Sequence, residues 1–484
     1  MNTLARLDHR YVWHPFTQMR GWLKREPIVI VEGHGAVLRD VHGREYLDAN
    51  SSIWTNLHGH NHPRINRAIQ RQLKKIAHSS ALGLANEPAS RLAEKLVEVT
   101  GSTFDHASRI THHSTRDTQH ATRPAPLSKV FFSDDGSTAM EVALKLAYEY
   151  TRRTRNTRQP KFLSLAGAYH GDTVGAVALG HIDLFHKAYS GLLFKTDKVA
   201  APYCYRCPYN RAKPERVDAR DCRKCNWECV DILEKKFAGQ KKKEAPYSAF
   251  VIEPLIQGAA GMIPQPSSWL KRAAEISRGH GALLIADEVM TGFGRTGNAA
   301  TLFACQQEGV QPDFMAVAKG LTGGYLPMAA TLTTQPIFDA FLGDYHEFKT
   351  FFHGHSFTGN QLGAAAALAS IEILHTAASI RARRSLETAL RRELEALWKL
   401  PNVGDIRQVG LAVGIELVKN WRTRRPFDLR ERAGIRVCEA MAKRGVLTRP
   451  IGNVVVLMPP YCTTHEQVQR MVAALKEAIA ELAL

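Results

Sequence analysis

Leu284-Ile285-Ala286-Asp287-Glu288-Val289-Met290-Thr291-Gly292-Phe293-Gly294-Arg295-Thr296-Gly297 and Phe314-Met315-Ala316-Val317-Ala318-Lys319-Gly320-Leu321-Thr322-Gly323-Gly324 decide how this chain is read. In each, an apolar run short enough for a buried strand ends on an ionisable residue and passes into a glycine-containing turn. Taken singly, Lys319 has the ordinary reading of a solvated lysine, and Asp287 that of a turn former or helix cap. Taken together they sit at the mouths of two strands, 319 − 287 = 32 residues apart. A lysine there is costly to desolvate, and desolvation favours its neutral, nucleophilic amine.

Upstream, Lys129-Val130-Phe131-Phe132 reads as a buried strand, and Ser133-Asp134-Asp135-Gly136-Ser137-Thr138 turns it into a helical run from Ala139 to about Arg152. Free backbone N–H groups and the positive helix end meet at Gly136 and Ser137, which suits an anionic phosphate as well as it suits a plain helix cap. Phe162-Leu163-Ser164-Leu165 is a further strand, ending at Gly167-Ala168-Tyr169-His170-Gly171-Asp172-Thr173, where the Tyr169 ring can cover a planar ligand or simply pack in the core. Strand-like and helical patterns alternate from about Lys129 to Ala330, which predicts a largely parallel α/β sheet with ligands at the carboxyl ends of its strands. An amine for a Schiff base, a carboxylate for a pyridinium nitrogen and a phosphate cradle are together what pyridoxal 5'-phosphate requires of a protein.

The Asp287 and Lys319 stretches resemble the class III aminotransferases of the fold-type-I pyridoxal-phosphate superfamily. Within that class the resemblance runs along nearly the whole chain to the adenosylmethionine-8-amino-7-oxononanoate aminotransferases of biotin biosynthesis. Three stretches carry it: Trp13-His14-Pro15-Phe16-Thr17-Gln18-Met19; Asp48-Ala49-Asn50-Ser51-Ser52-Ile53-Trp54-Thr55-Asn56-Leu57-His58-Gly59; and Thr448-Arg449-Pro450-Ile451-Gly452 with Leu457-Met458-Pro459-Pro460-Tyr461. The resemblance implies a large cofactor domain at 60–375, with 103–126 and 204–229 as insertions, and a smaller α+β domain built from 1–59 and 376–484.

It also implies roles: Lys319 as the catalytic lysine, and Gly136, Ser137, Tyr169, Asp287, Lys319 and Ser356 as cofactor residues. Phe16, Trp54, Tyr169, Gly354, His355 and Arg449 become substrate residues, with Arg449 gripping the remote carboxylate of 8-amino-7-oxononanoate and Trp54 lining the path of its methylenes. Ser356, within Phe352-His353-Gly354-His355-Ser356-Phe357, matches a segment whose hydroxyl reaches the phosphate of a neighbouring subunit, and this implies a homodimer. The implied reaction is a ping-pong transamination giving 7,8-diaminononanoate. Its amino donor is S-adenosylmethionine or, in some lineages, lysine. The chain departs from some members at Phe16 and Val456, where they carry Tyr, at Ile53, where they carry Trp, and at His355, where they carry Pro.

Composition fits an enzyme of this size. With 484 residues, 44% of them hydrophobic, the chain can bury a large core. The N-terminus lacks the apolar segment of a signal peptide and no apolar run is long enough to span a bilayer, so a cytoplasmic protein is expected. Its 64 Lys+Arg against 46 Asp+Glu give a net charge of +18, which attracts anionic ligands but is scattered as a solvated face would be. Cys204-x-x-Cys207 and Cys222-x-x-Cys225, with Cys229 close behind, have the spacing of a zinc site and equally that of free thiols in a reducing compartment. No metal is assigned, and Cys204, Cys207, Cys222 and Cys225 stand as the zinc candidates. A zinc-stabilised, basic nucleic-acid binder is the rival reading from a different class. It leaves Lys319, Asp287 and the Gly136 turn without purpose. An omega-aminotransferase or aminomutase acting on another amine is the rival within the superfamily.

Overall fold

The computed structural model describes residues 1–110, 124–155, 157–298 and 301–483. A seven-stranded sheet organises them. Its strands in chain order are β1 (Leu127–Ser133), β2 (Lys161–Leu165), β3 (Asp197–Val199), β4 (Tyr247–Ile252), β5 (Leu283–Asp287), β6 (Phe314–Val317) and β7 (Ala329–Thr334). In space they run β1-β7-β6-β5-β4-β2-β3. The pairs β6–β5, β5–β4, β4–β2 and β2–β3 are parallel, as the alternating pattern predicts. Strand β7 departs from it, lying antiparallel to both β6 and β1. Only residues 318–328 join β6 to β7. A parallel return needs a crossover of a dozen residues or more, usually a helix, whereas an antiparallel neighbour needs none.

Strands β4, β5, β6 and β7 are buried along their whole lengths. This explains their near-continuous apolar sequence, since a sheet covered on both faces has no solvent side to mark with polar residues. The helix Gly136–Arg155 packs one face, with Met140, Val142, Leu144 and Leu146 buried among residues of β4 to β7. Trp269, Leu270, Ala273 and Ala274 of the helix Trp269–Gly279 belong to the larger cluster on the other side.

Two further sheets flank this one. Ile30–His34, Val37–Asp40 and Glu45–Asp48 form a meander whose last strand pairs in parallel with Val446–Leu447, so early and late segments of the chain share a sheet. Val403–Val409, Ala412–Asn420, Pro450–Ile451 and Val454–Leu457 form an antiparallel sheet, with Arg425–Pro426 paired to its second strand. Of the segment 103–126, residues 111–123 lie outside the described residues, and the part up to Ile110 continues the helix Glu87–Ile110. Among the described residues no single helix is long and apolar enough to cross a membrane.

Arg407 ties this third sheet to the rest. Its guanidinium, 1% exposed, donates to Asp405 (2.9 Å) and Glu416 (2.7 Å), and to the carbonyls of Gly261 (2.6 Å) and Met262 (2.8 Å). Glu416 also accepts from Tyr203 and Arg206 of the 202–229 loop. Burial pushes Asp405 up to about 6, with Arg407 opposing that shift. Replacing Arg407 with Leu strands two buried carboxylates, and breaking a buried pair from one side costs about 3–5 kcal/mol. Arg407→Leu is therefore expected to shift the urea unfolding midpoint markedly downward, and Arg444→Leu, whose partners Glu477 and Glu481 are largely exposed, to shift it little.

Candidate active site

The carboxyl ends of β5 and β6 open into a cavity of about 480 Å³. Asp287 ends β5 and pairs in register with Ala316 of β6, so Lys319 emerges beside it. Lys319 has a left-handed backbone, φ 42°, costly for a residue with a side chain and the kind of strain that recurs at functional sites. The glycines that follow explain the turn. At Gly324 a Cβ would lie 2.8 Å from the Asn56 nitrogen, so only glycine lets the 54–56 backbone close over the lysine. That closure sets the Lys319 ammonium position 5.3 Å from the centre of the Trp54 ring. Arg295, fully buried, pins the same segment by donating to the Asn56 carbonyl (3.0 Å) and the Pro459 carbonyl (2.9 Å).

Asp287 is 5% exposed and bonded on both oxygens. His170 Nδ1 donates to Oδ2 at 2.8 Å, and the Val289 N–H donates to Oδ1 at 3.1 Å. Both bonds fix the orientation of the carboxylate at the strand end. Glu253 lies in the same cavity, accepting from the Tyr169 N–H (3.2 Å) and the Gly258 N–H (2.8 Å). Burial pushes its carboxyl up to about 7, His170 works against the shift and Asp287 adds to it. Burial also lowers the pKa of Lys319, opposed by Asp287, Glu253 and Asp135.

Gly136 and Ser137 begin the helix Gly136–Arg155 at the edge of the cavity. Asp135 takes the Thr138 N–H, and among the described residues no acceptor takes the N–H of Gly136 or Ser137, which suits them to a bound anion. A Cβ on Gly136 would come 2.6 Å from Val289 Cγ1, so the turn can approach the Asp287 strand end only as glycine. Tyr169 lines the cavity and its hydroxyl donates to Asp172 (2.7 Å), whose own N–H donates to Ser137 Oγ (3.0 Å). The ring is thereby braced from the phosphate turn. A primary amine whose pKa burial lowers, a buried carboxylate accepting two N–H bonds and two N–H groups without an acceptor among the described residues are the complement of pyridoxal 5'-phosphate, and the residues present fit it.

The other expected residues divide. Trp54 lines the cavity and belongs to an apolar cluster with Met262, Met290 and Val456. Phe16 is 59% exposed and does not line it, but its ring meets Phe185 at 5.2 Å, and Phe185 meets Tyr169 at 6.2 Å. Arg449 is exposed on the link between Val446–Leu447 and Pro450–Ile451, with no ion-pair partner among the described residues. Gly354 and Ser356 are exposed, and neither they nor His355 line the cavity of their own chain; His355 Nδ1 lies 3.2 Å from Asp134. His170, Asp172 and Arg295 were not singled out from sequence. The first two lie in the quoted Tyr169 motif, whose residue types were the available signal.

The cysteines regroup. Cys204, Cys207, Cys225 and Cys229 line one small cavity, while Cys222 faces away toward the Ala219 carbonyl. The candidate set therefore loses Cys222 and gains Cys229, because Glu228–Lys241 starts as a helix and turns Cys229 back toward the first pair. All eight cysteines are free thiols.

A lysine and a buried carboxylate at the carboxyl ends of adjacent parallel strands, in a sheet covered by helices, place the chain in the class of pyridoxal-phosphate enzymes of fold type I. The aminotransferase class-III family profile matches residues 21–479, and the chain belongs to that family, which uses pyridoxal phosphate. It is 45% identical over 477 residues to the adenosylmethionine-8-amino-7-oxononanoate aminotransferase of Geobacter sulfurreducens, covering 99% of this chain and 97% of that protein. The crystal structure of the enzyme of the same name from Methanocaldococcus jannaschii superposes with a TM-score of 0.85 at 38% identity, covering 99% of this chain and 98% of that one. An amine transaminase from an uncultivated Pseudomonas species, solved in a pyridoxal-phosphate-bound form, superposes at 0.84 with 31% identity, covering 97% and 98%.

Two outcomes test the site. Lys319→Ala is expected to abolish the lysine-linked visible absorbance and to lower turnover by at least the 10²–10⁴-fold typical of a lost proton-transfer group. Glu253 binds a proton more tightly in the folded chain than its ordinary value of 4.5 allows. Its contribution to stability is therefore intact below about 4.5 and falls as pH rises toward about 7. Thermal unfolding of cofactor-free protein is expected to show that decline, and Glu253→Gln to flatten it.

Proposed function

We propose that this protein transfers an amino group from S-adenosylmethionine to 8-amino-7-oxononanoate, forming 7,8-diaminononanoate in biotin biosynthesis. The observation that carries the reading is the apolar wall running from the cavity to the hairpin that bears Arg449. Trp54 and Met290 line the cavity itself, and they pack in one cluster with Val456 and Ile451, the latter two residues beyond Arg449. An acceptor with a reacting ketone, a run of methylenes and a distal carboxylate matches an amine, an apolar path and a guanidinium in that order. The names of the Geobacter and Methanocaldococcus relatives support the same substrate.

Pyridoxal phosphate, when bound, supplies the electron sink for the carbanion at the donor's α-carbon. This chain's residues do the rest. Lys319 Nζ, whose pKa burial lowers, takes up the proton from the donor's α-carbon and would deliver it to the cofactor carbon that keeps the amino group, so that the donor leaves as a keto acid. Asp287, which accepts from His170 and the Val289 N–H, would hold the pyridine nitrogen, while Gly136 and Ser137 would hold the phosphate. Tyr169, braced by Asp172, covers a ring face. Arg449 fixes the reach of the acceptor.

The functional unit is a homodimer. Ser356 is exposed and absent from the cavity of its own chain, as a residue serving a neighbour's phosphate must be. The exposed Phe352 and Phe357 on the same segment are then covered by the partner.

Mixing holoenzyme separately with S-adenosylmethionine and with lysine tests the donor. Loss of the visible band with S-adenosylmethionine alone is expected, and loss with lysine alone would replace the donor. Recovery of the band on adding 8-amino-7-oxononanoate is expected, and recovery only with other ketones would move the enzyme among the omega-aminotransferases. Arg449→Ala is expected to raise KM for the acceptor roughly 10- to 100-fold, from the about 1.5–3 kcal/mol of a hydrogen bond to a charged group, while leaving the donor half-reaction intact.

A further inference from the structure

Residues 202–227 connect β3 to the helix Glu228–Lys241 with little regular structure beyond the turn Cys204–Arg206. A loop of that length inside a compact fold needs something to fix it. Its own apolar cluster is small, comprising Cys204, Tyr205 and Ala219 with Tyr203 beside them. Polar ties hold its outer side. Arg216 donates to the Leu400 carbonyl and Arg220 to the Gln408 carbonyl of the neighbouring sheet region. The inner side is where four thiols converge.

Cys204 and Cys207 come from the start of the loop, Cys225 from its end and Cys229 from the first turn of the helix, in the pattern C-x2-C-x17-C-x3-C. They surround a cavity of about 10 Å³. That is room for about a single water or ion, and too little for an iron–sulfur cluster or an organic ligand. The walls suit thiolates. Arg223 Nη1 lies 3.3 Å from Cys225 Sγ while its guanidinium stacks on Trp227 at 4.1 Å, which places a positive charge against the sulfurs. The Trp269 indole N–H, on a residue with no exposure, has no hydrogen-bond partner among the described residues. An N–H donor set against a ligand atom, as Arg223 is against Cys225, is the usual outer shell of a metal site.

We propose that Cys204, Cys207, Cys225 and Cys229 bind one zinc ion as four thiolates, a structural site that staples the 202–229 loop to the helix Glu228–Lys241. Binding releases four protons, one from each thiol, and leaves a tetrahedral complex of charge −2 that Arg223 partly offsets. As placed, no three His, Cys, Asp or Glu side chains among the described residues already form a set able to hold a metal. Closing the set requires the cysteines to turn inward, and each has only one side-chain bond to rotate about. Cys222 is not a ligand. The site lies on the loop that meets Glu416, outside the Lys319 cavity, so its role is to hold structure and not to take part in chemistry.

The test is the metal content of the holoenzyme purified under reducing conditions, together with its absorbance when expressed with cobalt. One zinc per chain is expected, and the cobalt form should show thiolate-to-metal charge-transfer and tetrahedral d–d bands. Cys229→Ser and Cys225→Ser should lose most of the zinc, and Cys222→Ser should keep it. A wild-type protein that carries no zinc and gives no cobalt–thiolate bands overturns the proposal whether or not the serine variants fold. Zinc lost with Cys222→Ser but kept with Cys229→Ser overturns the ligand set. Proteolysis within 208–224, slow in the wild type and accelerated by a chelator, is expected if the ion is the staple, and cleavage unaffected by the chelator would overturn that role.

Discussion

Placing a lysine amine beside two buried carboxylates is the constraint from which the rest of this structure follows. Burial lowers the pKa of Lys319, while Asp287, Glu253 and Asp135 oppose the shift. The two carboxylates are partnered differently. Asp287 is supplied with a histidine N–H and a backbone N–H, whereas Glu253 has backbone N–H groups only and is the one pushed up to about 7.

Much of this could be read before any coordinates. Asp287 and Lys319 stand out because buried parallel strands leave unbroken apolar runs, and an ionisable residue at the end of such a run is conspicuous. The glycine turn at Gly136 was visible for a similar reason. What escaped the sequence was tertiary pairing. His170 reaches Asp287 across 117 positions, and nothing local marks that histidine as a carboxylate partner. The antiparallel course of β7 escaped because its apolar residues look the same in either direction. Which cysteines line the small cavity was likewise not legible, because Cys229 stands in the first turn of the helix Glu228–Lys241 while Cys222 stands in the loop before it.

The departures at substrate-facing positions acquire a physical meaning from the same geometry. Val456, 1% exposed, packs with Trp54 and Met290, where a tyrosine would need both more room and a partner for its hydroxyl. Phe16 does not line the cavity, and its ring packs on Phe185, which packs in turn on Tyr169 of the lining.

The phosphate turn has one more implication. It offers two backbone N–H groups and a helix end, and its nearest charged side chains, Asp134 and Asp135, are acidic. On the proposed reading, a dianion bound there would be held by short-range, geometrically exacting dipoles more than by a field of lysines and arginines. The cofactor's grip should accordingly be nearly indifferent to ionic strength, even in a protein whose formal charge is +18, and the surplus of basic residues is left to govern solubility and encounters at the surface.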